Sequence, residues 1–302
     1  MKLLESFVPC ADEVWRLHNL REPDCLHFQK WCDEGGTLNG DGRTATRQGT
    51  YCCTPSGQFL GSANHRDPRR IAAMLKEALR KWKEIKKEDR LLKEDPVKTW
   101  EQIDRSEKKY PADGMVLRVN SRDMPRTGLD PNDWRTHAWN FDYAWFKKDE
   151  VARMLPKTLG KKTEWRLPDD LVRRLVRIHL VDNVRGQTGG YRPEAVEDAE
   201  INCEVTRIKK NIVTIKLTGK VKQQQDGRGV EGTMLGEALY NTKDEKFDKF
   251  EIVVLGTRWG ATQYNRREDD RERSPIGYVL HLASDHPTEK IAPAEFGSYG
   301  WR

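Results

Sequence analysis

The sequence predicts an α+β protein, with a partly helical N-terminal part followed by a mainly antiparallel β domain that forms a sandwich or a barrel. Two patterns support this prediction. In residues 68–85 apolar side chains recur every three or four positions, which is the spacing of one helix face. From about residue 199, apolar and polar residues alternate in five successive stretches separated by turn residues. Strands that follow one another without an intervening helix are typical of an antiparallel meander.

The same change of pattern divides the 302 residues into regions. We expect a first part at 1–92, a charged linker at 93–114 and the β domain at 115–302. The linker has many charges and few β-branched residues. Within the β domain, Pro168-Asp169-Asp170 predicts the start of one helix, at about 169–181.

The N-terminal part shows turn and capping signals between short apolar segments. Pro55 and Gly57 predict a tight turn between two strands, and Asp67 with Pro68 predicts a helix N-terminus. The predicted elements are a strand at 2–10, a helix at 25–32, strands at 50–54 and 58–62, and a helix from 68 to about 93.

This order of elements resembles the second half of a thioredoxin-like fold, including the type of domain found in selenoprotein N. The hairpin "GTYCCTPSGQFLGS" (49–62) is similar to that family's strand, Pro-x-Gly, strand element, and "LLESFVPCADEVWRL" (3–17) is similar to the strand after its active-site helix. The likeness covers residues 1–88 and implies thiol–disulfide chemistry. Two signatures of the family are missing here. The Cys-x-x-Cys pair would precede Met1, and the proline that faces it would lie at 47–49.

Six cysteines make thiol chemistry the first candidate to weigh, and five of them lie in the first 53 residues. Cys25 follows Asp24 at a predicted helix start, where the helix dipole lowers the pKa of a thiol and the carboxylate raises it. Cys52 and Cys53 are strand neighbours, so their side chains point to opposite faces. Because free cysteine is often a buried apolar residue, we favour packing for all four candidates, Cys25, Cys32, Cys52 and Cys53. No Cys-x-x-Cys spacing occurs, so the sequence predicts no metal site.

Two further groups are candidate ligand or contact residues. His179 and Asp182 lie one helical turn apart, with Arg185 following, and can form a phosphate or metal site or simply end a helix. We favour the helix end. Trp139 and Trp145 belong to "WNFDYAW" (139–145), which can stack a ring-shaped ligand or a sugar. More often such aromatic side chains seal a domain interface, which is the interpretation we prefer.

The charge pattern constrains the partners. The net charge is +6, but basic and acidic residues are interspersed and not gathered in one block, so we do not expect nucleic acid as a partner. No apolar stretch is long enough to span a membrane, and Glu5 interrupts the apolar run of a signal peptide. We therefore expect a cytoplasmic protein by default, or an exported one if the true start lies upstream.

Three functions follow from these patterns. The first is a non-enzymatic binding or interaction protein with a redox-inactive thioredoxin-like part, which binds a protein partner or a small ligand without a cofactor. The second is a thioredoxin-type thiol oxidoreductase whose active-site half lies upstream of Met1. The third is a β-barrel that binds a small ligand. The missing redox signatures favour the first.

Overall fold

The computed structural model describes residues 3–12, 14–35, 49–65, 67–91, 101 and 105–301. The chain divides into two compact units, 1–104 and 105–302, called here the N-terminal and the C-terminal unit. Both contain helices and strands, and the C-terminal unit carries a large antiparallel sheet. The prediction of a mixed protein with an extensive antiparallel sheet is confirmed.

In the N-terminal unit a hairpin packs against helices. The described residues of this unit form α1 (Val14–Asn19), α2 (Pro23–Gly35), β1 (Thr50–Cys53), β2 (Phe59–Ala63), α3 (Pro68–Glu84) and α4 (Lys87–Arg90). Helix α3 begins as its sequence dictates, because the Asp67 side chain accepts a hydrogen bond from the N–H of Arg69 and Pro68 occupies the first turn. Its buried face, Leu75 and Ala78, packs on Leu60 and Cys52 of the hairpin.

The turn between β1 and β2 requires glycine. Gly57 has a φ of +85°, and a Cβ at this position would lie 2.1 Å from the imidazole of His27. The carbonyl of Gly57 is hydrogen-bonded to His27 Nε2 at 2.9 Å and accepts from Trp31 Nε1 at 2.8 Å. The hairpin turn is thereby fixed to α2.

The predicted strand at 2–10 is wrong for the residues described there. Leu4–Ser6 form a single 3₁₀ turn, and Val8 is 88% exposed. The turn brings Leu3 and Phe7, four residues apart, onto the same apolar cluster as Leu75. A strand would also have put Leu3 and Phe7 on one face, so this contact does not select between the two structures. The turn is closed by a hydrogen bond from the N–H of Phe7 to the Leu4 carbonyl at 3.0 Å.

The C-terminal unit is built on one eight-stranded antiparallel sheet in the order β4-β3-β10-β9-β8-β7-β6-β5. Its strands are β3 (Met115–Asp123), β4 (Trp139–Phe146), β5 (Glu164–Arg166), β6 (Val196–Lys209), β7 (Ile212–Gln225), β8 (Arg228–Asn241), β9 (Lys246–Trp259) and β10 (Ser274–Leu282). Its helices are α5 (Lys148–Arg153) and α6 (Asp169–His179). Tight turns join β6 to β9, so these four strands form the meander that the alternation predicts.

One face of this sheet forms the main core. In β7, Val213, Ile215 and Leu217 are buried in it while Lys216 points away and is exposed. Helix α6 lies against this face through Leu171 and its apolar neighbours. A cavity between this helix and the sheet, lined by Leu171 and Phe250 among others, has a volume of about 10 Å³, no more than one water needs.

The C-terminal segment covers one end of the second face of the sheet. Tyr143 and Trp145 of β4 are buried there beneath Phe296, Tyr299 and Trp301 of the C-terminal segment. Further along the same face, large apolar side chains are exposed to solvent.

Candidate binding surface

Two aromatic side chains stand side by side on the open face of the sheet. Trp139 is 56% exposed and Phe141 is 38% exposed. They alternate with residues of the core face along β4, and their ring centroids are 5.9 Å apart with only 26° between the planes. The edge of Phe141 rests on Tyr143, which is buried. We call Trp139 and Phe141 the aromatic platform.

Polar side chains from two other strands, and one from the turn after β10, border the platform. Asn120 of β3 pairs with Phe141 across the sheet, and Arg118 places its guanidinium 4.4 Å from the Phe141 ring centroid. Arg118 donates to Asn120 Oδ1 at 3.2 Å and to Glu289 at 2.8 Å. His281 of β10 completes the row, 3.3 Å from the Asn120 amide nitrogen. We call Arg118, Asn120, His281 and Glu289 the polar rim.

Hydrogen bonding fixes the orientation of these groups. His281 Nδ1 lies 3.0 Å from the carbonyl oxygen of Leu282, which can only accept, so Nδ1 carries the proton and Nε2 accepts from the Asn120 amide. Burial alone would raise the pKa of Glu289. It is nevertheless lowered, because the N–H of Ser284 and the Arg118 guanidinium stabilise the carboxylate. The rim is thus pre-organised and contains both donors and acceptors.

A buried network holds β4 in place beside the platform. His179 Nδ1 donates to Asp142 at 2.8 Å, so its Nε2 accepts the O–H of Tyr299 at 2.7 Å. The Tyr299 oxygen in turn accepts the N–H of Trp145 at 3.0 Å. Burial opposes ionisation of Asp142, but its pKa is lowered by His179 and by the N–H of Ala294. His179 therefore serves to fix the C-terminal segment to the edge strand.

The other two residues of the predicted His179 group join a different network. Asp182 binds the guanidinium of Arg267 at 2.8 Å, and Arg185 binds Asp123 at 3.0 Å. His179 therefore belongs to one hydrogen-bond network and Asp182 and Arg185 belong to another, although the three residues are close in sequence.

That second network is a cluster of buried ion pairs at one end of the sheet, called here the ion cluster. Asp270 lies 2.5 Å from Arg258, 2.6 Å from Arg126, 2.9 Å from Arg185 and 3.0 Å from Arg267. Its other carboxylates are Asp123 and Asp182, and the side chains of Arg185, Arg258 and Arg267 are fully buried. Burying so many charges is costly, and the cluster keeps them only because each faces an opposite charge.

The ion cluster changes the interpretation of the loop at 258–275. Taken alone, its sequence, "RWGATQYNRREDDRERSP", predicts a solvent-exposed hairpin tip. Arg258, Arg267 and Asp270 are instead buried and tie the loop to β3 and to the segment after α6. Charge density in the sequence does not reveal this, because buried and solvated charges look alike in a sequence.

An open polar cleft of about 810 Å³ lies near this end of the sheet. Its lining residues are Asp130, Asn132, Asp133, Trp134, Arg135, Arg266, Glu268 and Asp269. Arg135 is held by Asp133 at 2.5 Å and by Asp269 at 2.7 Å, so much of this charge is satisfied within the cleft.

The aromatic candidates of "WNFDYAW" thus have different positions. Trp145 is fully buried, with Tyr110, Phe296 and Trp301 around its ring. Trp139, which the sequence also associated with a sealed interface, is exposed on the platform. The sequence did not single out Phe141 or the rim residues.

The candidate thiols of the N-terminal unit lie mostly inside it. Cys25, Cys32 and Cys52 are buried, while Cys53 is exposed. Burial raises the pKa of Cys25, and the nearby Asp24 carboxylate raises it further. Burial also raises the pKa of Cys52, whose sulfur lies 3.7 Å from that of Met74. These surroundings suit packing better than nucleophilic chemistry.

Glu22, Asp24 and Cys25 are close enough together to be considered as metal ligands. Arg16, however, already pairs with both carboxylates of this group.

The chain matches no family model, no curated protein and no solved structure in the comparisons made with it. Among the described residues, none of the helices has the length and apolar character needed to cross a membrane.

Proposed function

We propose that this protein is a non-enzymatic binding protein whose C-terminal unit engages its ligand through the aromatic platform. The proposal rests on the exposure of Trp139 beside Phe141. The neighbouring polar side chains are held in place by hydrogen bonds. Burying a large aromatic side chain lowers the free energy. A tryptophan that stays in water on a rigid surface is therefore a candidate contact residue.

The platform has the construction expected of a recognition surface. Phe141 rests on buried Tyr143, and the neighbouring rim is linked by hydrogen bonds. A surface fixed before binding loses little side-chain entropy when the ligand arrives. Binding sites generally combine aromatic surface with a few fixed polar groups, and this set has both.

For the N-terminal unit we propose the hairpin and final helix of a thioredoxin-like fold, without redox activity; the strand that the resemblance expects before the hairpin is a 3₁₀ turn instead. Support comes from the hairpin β1–β2 with its Pro55–Gly57 turn, followed by the amphipathic helix α3. The lack of activity is supported by the burial of Cys25, Cys32 and Cys52. Thioredoxin-type thiol chemistry therefore draws little support from the described thiols.

A ligand-binding barrel has less support than a binding face. The space enclosed by Met115, Leu171, Ile201 and Phe250 is only about 10 Å³. A small-molecule pocket has a volume of roughly 300–1,000 Å³, far more than this interior leaves.

The proposal is tested by comparing the wild-type full chain with a Trp139→Ala variant against three classes of probe. The probes are neutral oligosaccharides, single-stranded oligonucleotides and a display library of random peptides. We expect at least one class to bind the wild type and to bind Trp139→Ala about tenfold more weakly or worse. Tyr264→Ala is the matched control, because Tyr264 is 60% exposed but lies on the loop after β9.

If no class binds, or if Trp139→Ala and Tyr264→Ala bind alike, the platform is not the binding surface. Because Trp139 is largely exposed, its substitution should leave the fold intact, and circular dichroism spectra of all three proteins verify this.

A further inference from the structure

We infer that the ligand of the aromatic platform is a carbohydrate, with a neutral pyranose ring stacked on Trp139 and its hydroxyl groups bound by the polar rim. This inference rests on the proposed function and names its ligand class.

The platform fits the apolar side of a sugar ring. A pyranose presents C–H groups on its faces, and these carry the slight positive charge that the negative face of an aromatic ring attracts. Trp139 offers the larger free surface, because the Arg118 guanidinium already lies 4.4 Å from the Phe141 centroid. The two rings are stacked, with 26° between their planes, so Phe141 supports Trp139 from one side. The flat indole of Trp139, which is 56% exposed, is therefore the surface on which a sugar ring stacks.

The rim fits the hydroxyl groups at the edge of that ring. Each sugar hydroxyl both donates and accepts, so it needs partners of both kinds. Asn120 has a second amide hydrogen and a second lone pair beyond those used by His281 and Arg118. Because Asn120 pairs with Phe141 in the sheet register, its amide stands directly beside the platform.

The charges around the platform argue against a nucleic acid. Binding to a phosphate backbone depends on lysines and arginines that are free to neutralise it. Arg118 is already neutralised by Glu289, so Arg122, which is exposed opposite Trp139, is the cation beside the platform that forms no ion pair with a described residue. A phosphate backbone requires several such cations, whereas a neutral sugar requires none.

The backbone of β4 argues against a peptide that adds a strand to this edge. The N–H of Trp145 is held by Tyr299, and the Trp145 carbonyl accepts from Arg174 at 3.1 Å. The N–H of Phe141 is taken by the side chain of Asn140 at 2.9 Å. Strand addition needs such groups free, so the edge is blocked at both positions.

The inference is tested with neutral probes on the full chain. Soluble xylan, mannan, hydroxyethyl cellulose and chitohexaose are each titrated, with affinity electrophoresis for the polymers and calorimetry for the oligosaccharide. We expect at least one to bind. Trp139→Ala should weaken that binding about tenfold or more, while Trp139→Phe retains part of it. Asn120→Ala should also weaken it, and Tyr264→Ala should leave it unchanged.

The possible failures are distinguishable. If single-stranded oligonucleotides or library peptides bind in a Trp139-dependent way and no sugar does, the carbohydrate inference is wrong and the binding function stands. If sugars bind equally to wild type and Trp139→Ala, the platform is not their site and the inference is also wrong. If none of the probes binds, both the inference and the proposed function fail.

Discussion

Trp139 and Trp145 show how position decides the role of a residue type. Both point to the same face of β4, since they are six residues apart and strand side chains alternate. The C-terminal segment covers Trp145 and leaves Trp139 in water. The sequence could indicate that either tryptophan stacks on something. It could not indicate which one, because the covering segment lies about 150 residues further along the chain.

In the ion cluster, too, the role of a residue depends on its position, and the carboxylate of Asp270 is the clearest case. Asp270 touches four guanidinium groups, and its side chain is nearly inaccessible to solvent. Replacing it leaves Arg258 and Arg267 buried beside fewer negative charges. We expect Asp270→Ala to lower the free energy of unfolding of the C-terminal unit by ~3–5 kcal/mol, measured by urea denaturation of the full chain.

The matched control is Asp198→Ala, which removes an exposed partner of Lys220 and should cost less than about 1 kcal/mol. Acid pH provides a second readout of the same prediction. The pKa of Asp270 is lowered in the folded chain despite burial, because Arg126 and Arg258 stabilise its carboxylate. A lowered pKa stabilises the fold above the unfolded value of about 4, and this stability is lost as the pH falls below it. Asp270→Ala should therefore lose less stability on acidification than the wild type, and equal losses would contradict this account.

At the scale of elements, the sequence was informative wherever local chemistry decides the structure. Asp67 and Pro68 start α3, and the alternation in β7 assigns Val213 to the core and Lys216 to solvent. It failed for residues 2–10, where apolar residues suit either a strand or a turn on an apolar cluster. The choice there depends on what the segment packs against, which the sequence pattern does not contain.

The two faces of the long strands give a stability prediction. Val254 of β9 is buried in the main core, and Lys216 of β7 is exposed. Val254→Asp places an unpaired charge in an apolar interior and should unfold the C-terminal unit. Lys216→Asp should change the free energy of unfolding by less than about 0.5 kcal/mol. Thermal melts of the full chain followed by near-ultraviolet circular dichroism measure both, and equal midpoints would mean that the faces are misassigned.

At the scale of the whole molecule, the candidate site is a product of topology. The platform comes from β4, and its rim comes from β3, β10 and the turn that follows β10. Glu289 lies 171 residues from Arg118, and no local motif connects them. Alternation in β3 can place Arg118 and Asn120 on one face, but only the strand order brings Phe141 and His281 beside them.

In this topology, the residues that form the main core and the residues that form the platform lie on different faces of the sheet. One face of the sheet carries the main core with α6, and the other carries the platform beside the C-terminal segment. The ion cluster fixes the loops at one end of the sheet without contributing to the platform itself. Substitutions on the platform should therefore alter binding while leaving the free energy of unfolding nearly unchanged.

The most direct test of the account is hydroxyl-radical footprinting of the full chain with and without a bound probe, read residue by residue by mass spectrometry. In the free protein, Trp134, Trp139, Phe141 and Tyr264 should all be oxidised, because all four are exposed. With a saturating neutral oligosaccharide, we expect protection of Trp139 and Phe141 alone. Unchanged oxidation of Trp139 in a saturated complex, or protection of Trp134 or Tyr264 in its place, would contradict the assignment of the platform as the binding surface.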